Sequence, residues 1–174
     1  MSQVKKSVPE QAWAHKYGRV NLGPHTRIDL QSVADRLEIQ DLFARWGVAH
    51  DEGRTDVIGS LFTADGQIEV VEGPTTKAKF QGRETIVQEI GRVFKFQADQ
   101  RRHCVTNVLI DDLRDGHADC IAYCVCTVNG LDMAASVIYS AKVRREDDIW
   151  RFSRLLIGLD SYAGPRPEEA TAGR

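Results

Sequence analysis

The apolar positions of this chain change period once, and that change divides it. Ile39, Leu42, Phe43, Trp46 and Gly47 recur at helical spacing. They predict an amphipathic helix that starts near Asp29 or Ser32, either of which can cap its first turn. Gly53 is a natural stop. A second, short helix is expected over 55–62, with Thr55 or Asp56 as its cap. Strands are expected over 67–72 and 78–81. Helical spacing returns after Gly82, with Ile86, Ile90, Val93 and Phe94 as the stripe. From residue 102 the period falls to two. Strands are expected over 102–113, 118–128, 133–145 and 149–159. Asp115-Gly116 and Asn129-Gly130 between them are hairpin signals that favour positive φ, and Asp147-Asp148 marks the third connection. No proline occurs between Pro74 and Pro165, so nothing interrupts these elements.

Helices followed by an antiparallel meander make an α+β pattern. Strands this long curl, and the helices must cover one face. The expected result is a sheet wrapped as a half-open cone around an interior pocket. The flanks differ in composition. Residues 1–31 carry Lys5, Lys6, Lys16, Arg19 and Arg27 against Glu10 and Asp29. Trp13 and Tyr17, four apart, can pack a short helix onto the body. This zone reads as an N-terminal arm, ordered by a partner subunit. Residues 32–160 read as one domain and 161–174, with Pro165 and Pro167, as a flexible C-terminal tail. A length of 174 residues suits one domain with a full core.

Charge excludes some partners. Lys and Arg number 23 and Asp and Glu 25, a net charge of −2, which argues against a general nucleic-acid or anionic-membrane binder. No apolar run approaches the ~18–20 residues of a membrane span. The basic start is not followed by an apolar stretch, so no secretory signal is expected and the location expected is the cytoplasm. The cysteines are Cys104, Cys120, Cys124 and Cys126. The last three share parity on one strand, a poor geometry for disulfides, so reduced structural thiols without metal are expected. No H-x-H or H-x-x-x-H pair supports a metal site. Glycine-rich nucleotide loops and the G-x-S-x-G elbow are missing, so no metal and no cofactor is expected.

Three residues stand out chemically. Asp51 shares a helical row with Phe43 and Gly47, so it faces the core from the C-terminal end of its helix. There burial and the helix dipole both oppose its negative charge, a placement that suits proton transfer. The alternative is a solvated Asp in the last turn. His103 lies in a strand apolar on both faces, in parity with Val105, Asn107 and Leu109, and needs partners for its ring nitrogens. A satisfied core histidine is the alternative. Asn107 would orient a ligand or bond to backbone. Arg154 shares parity with Trp150 and Phe152, which mark the interior. It would reach a substrate oxygen or halide, or pair with a carboxylate, or pack its stem at the rim. His50, next to Asp51, is expected to point away, with a charge suited to the helix end.

The runs DRLEIQDLFARWGVAHD (35–51), FQGRETI (80–86), RHCVTN (102–107) and WRFSR (150–154) resemble the SnoaL-like branch of the nuclear transport factor 2-like superfamily, over roughly residues 30–159. The resemblance implies a conical α+β barrel, with N-terminal helices packed in the concave face of a curled, mostly antiparallel sheet. Members include polyketide cyclases, scytalone dehydratase, lindane dehydrochlorinase, bile-acid dehydratase and the small subunits of ring-hydroxylating dioxygenases. It implies a catalytic pair Asp51–His103 and a pocket arginine at Arg154; Asn107, Trp46 and Phe43 are further expected substrate-binding positions. Trp46 is a departure, because related lyases often carry Tyr or Lys there.

Two function classes follow. One is a cofactor-independent lyase or isomerase for a small hydrophobic cyclic substrate. In it His103, held in one tautomer by Asp51, moves a proton while Arg154 or Asn107 stabilises negative charge. The other is a non-catalytic binding or structural subunit, like the dioxygenase small subunits. A homodimer or homotrimer is expected in both, because the outer sheet face carries apolar residues that the chain's own helices cannot cover.

Overall fold

The computed structural model describes residues 13–129 and 132–162. The mixed α+β architecture is present. A four-residue helix α1 (Trp13–Lys16) and a 3₁₀ turn (Leu30–Ser32) precede α2 (Val33–Asp51) and α3 (Thr55–Ser60). Strands β1 (Phe62–Glu72) and β2 (Thr75–Gln81) follow, then α4 (Arg83–Phe96). The meander is β3 (Arg101–Arg114), β4 (His117–Val128), β5 (Asp132–Glu146) and β6 (Ile149–Tyr162). The six strands lie in the order β2-β1-β6-β5-β4-β3, so the sheet is open and β2 and β3 are its edges. Every pairing is antiparallel except β1 with β6.

Local chemistry explains the boundaries. The Asp29 carboxylate accepts from the Gln31 N–H and opens the 3₁₀ turn that leads into α2. Gly53, at φ 63°, reverses the chain after α2. Asp115 and Gly116, both at positive φ, make the β3–β4 hairpin, and Asp147 and Asp148 make the β5–β6 hairpin. Asn129 also has positive φ; its partner in the expected hairpin signal, Gly130, lies outside the described residues, as do residues 1–12 of the arm and 163–174 of the tail. Ser161 and Tyr162, placed in the tail by sequence, belong to β6.

One face of the sheet carries the core. Cys120, Ala122, Cys124 and Cys126 of β4 face Ala135, Val137, Tyr139 and Ala141 of β5, and α2 adds Ile39, Leu42, Phe43 and Trp46. The three β4 cysteines are buried on this inner face, while Cys104 is exposed on β3. Burial holds the Cys120 and Cys126 thiols above their ordinary range and pushes Cys124 up to about 11, so all three are inert protonated hydrophobes. Phe43, Phe62 and Phe152 cluster with ring centroids 5.1–5.4 Å apart for the pairs that share Phe152. This cluster packs in the core between α2 and the sheet.

The described part of the arm, residues 13–31, packs on the outer face of its own sheet, as the spacing of Trp13 and Tyr17 allows. Trp13 lies against Gly158, where a Cβ would come within 2.5 Å of the indole and 2.9 Å of Ile138. The Trp13 indole N–H donates to Asp160. Further along, Arg19 reaches the Pro74 carbonyl and Glu69, and the Gly23 N–H reaches Asp111. The outer face of β3 and β4 stays open, with Leu109, Tyr123 and Val125 exposed, so β3 is covered on one side only.

Candidate active site

The last turn of α2 meets the start of β3. Gly47 permits the approach: a side chain there would crowd the His103 carbonyl at 3.1 Å and the Val105 methyl at 3.4 Å. One turn on, Asp51 reaches His103 with both carboxylate oxygens. Oδ1 lies 2.5 Å from the ring Nδ1, and Oδ2 accepts the His103 backbone N–H at 2.9 Å. That N–H is on an edge strand and has no neighbouring strand to serve on this side. The pair is largely buried, with side-chain exposures of 7% for Asp51 and 13% for His103. The carboxylate accepts only, so it fixes the ring proton on Nδ1 and leaves Nε2 with its lone pair.

A second imidazole stands beside the first. The His50 ring centroid is 4.6 Å from that of His103. His50 is also edge-on to Trp46 at 5.5 Å and to Phe94 of α4 at 5.0 Å. Burial, helped by His103 and then by Arg101, lowers its pKa from 6.5 to about 3, so the ring is neutral. The expected charge at the helix end is therefore absent. Its Nδ1 is buried without a hydrogen-bond partner. Arg101 is buried too and pairs with Asp99 at 2.8 Å. On the inner face of β5, burial holds the Tyr139 phenol well above its ordinary range, so it keeps its proton.

The other sequence-derived candidates lie apart from this pair or in the packed core. Phe43 and Trp46 are fully buried and belong to the aromatic core. Asn107 and Arg154 are corrections, and both have the same cause. Between Thr106 and Leu109 the β3 register slips, with Asn107 at φ 53°. Val108 then takes the inward place and Asn107 is turned out to solvent. In β6, Phe152 pairs with Val143 but Arg154 pairs with Lys142, so Ser153 is an extra residue and parity inverts. Arg154 projects from the outer face, where its guanidinium meets Glu69 at 2.8 Å and, with Thr76, holds that carboxylate below its usual range. It lines a cleft of about 240 Å³ between the arm and the sheet, with Arg19 and Lys142. A second cleft, about 450 Å³, lies along α3 and α4 over Thr55, Gly91 and Phe94. Among the described residues, no group of three His, Cys, Asp or Glu is placed to hold a metal ion, and no helix is long and apolar enough to cross a membrane.

Comparison with known proteins agrees with this architecture. The family model described as a SnoaL-like domain matches residues 31–155. A protein of unknown function with a cystatin-like fold from Nostoc punctiforme is 24% identical, with a TM-score of 0.66 over 74% of this chain and 92% of its own. The hexachlorocyclohexane dehydrochlorinase LinA-type3 from Novosphingobium barchaimii is 19% identical, with a TM-score of 0.64 over 80% of this chain and 96% of its own. The beta subunit of a putative aromatic-ring-hydroxylating dioxygenase from Novosphingobium aromaticivorans is 16% identical, with a TM-score of 0.67 over 79% and 95%. The comparison with curated proteins gave no significant match.

Proposed function

Because the chain belongs to the SnoaL-like domain family, we propose that it is a cofactor-independent lyase or isomerase acting on a small hydrophobic cyclic substrate through Asp51 and His103. The observation that carries this reading is the grip of one buried carboxylate on both the ring Nδ1 and the backbone N–H of His103. That grip fixes tautomer and ring orientation together. The free Nε2 takes a proton from carbon beside a leaving group or carbonyl, and Asp51 stabilises the imidazolium that forms. The rings of Trp46 and Phe94 around the neighbouring His50 supply apolar walls. A cyclic substrate is proposed because a dehydrochlorinase of hexachlorocyclohexane shares the fold.

Proton abstraction is testable without knowing the leaving group. The wild-type protein in D₂O should exchange the α-protons of a bicyclic ketone such as 2-tetralone, followed by NMR, and His103→Gln should return exchange to the buffer rate. A wild-type protein no faster than buffer would overturn the reading.

That outcome would favour the second reading, a non-catalytic subunit. Its support is the aromatic cluster packed in the core, together with the shared fold of a dioxygenase beta subunit. In either case we propose a homodimer or homotrimer. The exposed Leu109, Tyr123 and Val125 on the open outer face are its contact. Sedimentation at micromolar concentration should give a species larger than the monomer, and Tyr123→Lys should shift it towards the monomer. A wild-type monomer would refute the assembly.

A further inference from the structure

The outer face of the sheet, away from α2 and the Asp51–His103 pair, holds a charge pattern that the proposed reaction does not use. Four strands contribute one row of side chains there. Asp111 of β3 pairs in register with Asp119 of β4, Asp119 with Lys142 of β5, and Lys142 with Arg154 of β6. The row sets two carboxylates directly opposite each other and then two cations, and like charges in cross-strand positions are destabilising. The arm crosses above this row. Arg19 stands at the basic end, and the Gly23 N–H lies 3.4 Å from Asp111 at the acidic end. Between arm and sheet lies the cleft of about 240 Å³.

The internal ion pairs leave a surplus at each end. At the acidic end Asp111 and Asp119 share one cation. Lys142 Nζ lies 3.1 and 3.4 Å from the two Asp119 oxygens, and among the described residues Asp111 has no ion pair. At the basic end Arg19 and Arg154 share one carboxylate, Glu69, at 3.7 and 2.8 Å. The Nε–H of each arginine is buried without a partner, so this end is short of acceptors. Arg154 still exposes 40% of its side chain and Lys142 61%, so a solute entering the cleft meets both.

We propose that this cleft binds a small zwitterion, its carboxylate held by Arg19 and Arg154 and its ammonium by Asp111 and Asp119. Such a ligand neutralises both surpluses at once, whereas a simple anion answers one and stands near two carboxylates. The guanidinium fork matches a planar carboxylate with parallel N–H bonds. The spacing selects the ligand further. β4 and β6 are two strand spacings apart, roughly 10 Å. Charges carried on one carbon, as in an α-amino acid, are too close together to reach both ends. An ω-amino acid or a dipeptide spans them, and Ile121 in the cleft wall offers an apolar contact for the atoms between. The cleft is smaller than the ~300–1,000 Å³ of a drug-sized site, which suits a ligand of this size. The site does not depend on the proton-abstraction reading.

The test is isothermal titration of the full chain at low salt with 6-aminohexanoate, and with hexanoate, which lacks the ammonium. The wild type should bind 6-aminohexanoate at least ~10-fold more tightly than hexanoate. Asp111→Asn keeps an acceptor for the Gly23 N–H but removes the charge, and should bring the two affinities together. Arg19→Gln should weaken both ligands ~10-fold. His103→Gln should change neither affinity. The proposal is overturned by a wild type with no saturable binding of 6-aminohexanoate up to ~10 mM. Equal affinity for hexanoate also overturns it, since the cleft would then be a general anion site, and so does an Asp111→Asn variant that keeps the full preference. Loss of binding in His103→Gln would place the probe in the candidate active site instead. Should Arg19→Gln loosen the arm, seen as a lower melting temperature, Arg154→Lys is read in its place. It keeps a charge beside Glu69 but lacks the fork, and unchanged affinity there overturns the role of the arginines.

Discussion

Asp51→Asn is expected to lower α-proton exchange by up to ~10⁴-fold while leaving a folded protein with a similar melting temperature. The geometry dictates both halves. In the wild type, Oδ1 takes the ring Nδ1–H and Oδ2 takes the backbone N–H of His103. Asparagine has one acceptor and one donor in the same places. Its oxygen must accept the backbone N–H, since that hydrogen cannot move. Its NH₂ then faces the ring and donates to Nδ1, which forces the imidazole proton onto Nε2. The number of hydrogen bonds is preserved, so stability changes little. The nitrogen that should accept the substrate proton is blocked, and the negative charge that would stabilise imidazolium is gone. Removing a carboxylate from the C-terminal end of α2 also relieves an unfavourable dipole interaction, which offsets part of any loss. Exchange by NMR and a thermal melt on the same sample decide the matter. Full activity would separate Asp51 from the chemistry, and loss of folding would make the pair a structural clasp.

The elements of this fold were legible because their signals are local. Period 3.6 in α2 and α4, period 2 in four strands and Asp-Gly at a hairpin each act within a few residues. The pair Asp51–His103 was reachable for the same reason: each side chain's direction follows from its own element. The strand errors begin where the period is broken. A bulge inserts one residue, and every parity assignment beyond it inverts. Asn107 sits at φ 53°, a conformation that asparagine tolerates better than most residues, so its presence in an apolar strand was a signal in principle. Ser153 gives no such sign, and Arg154 was misplaced because of it. His50 is a different case. It lies four residues after Trp46, on the buried row of α2, and that spacing outweighs its adjacency to Asp51. The contact of Trp13 with Gly158 joins two ends of the chain, and no short-range pattern encodes it.

Acid should destabilise this protein through His50, and His50→Phe should remove that contribution. The folded ring has its pKa lowered to about 3, against about 6.5 in an unfolded chain. The charged and titratable groups facing it are His103 and Arg101 of β3, which both oppose its protonation, and Asp51 beside it in the same turn. Above pH ~6.5 neither state binds the proton, and the stability linked to neutral burial is fully present. Between about 6.5 and 3 the unfolded chain binds a proton at residue 50 that the folded chain refuses. Unfolding is then favoured by up to ~1.4 kcal/mol for each pH unit of acidification. Carboxylates with lowered pKa, such as Glu69 beside Arg154 and Asp65 beside Arg144, add their own loss at the acid end of this window. The difference between wild type and His50→Phe isolates the imidazole, since those carboxylates are common to both. Urea unfolding measured from pH 8 to pH 4 should give a constant difference down to about 6.5, then a difference that moves steadily against the wild type. A difference independent of pH over the whole range would mean that His50 takes up its proton in the folded protein. His50 would then stand beside His103 as an imidazolium at the acid end of the range.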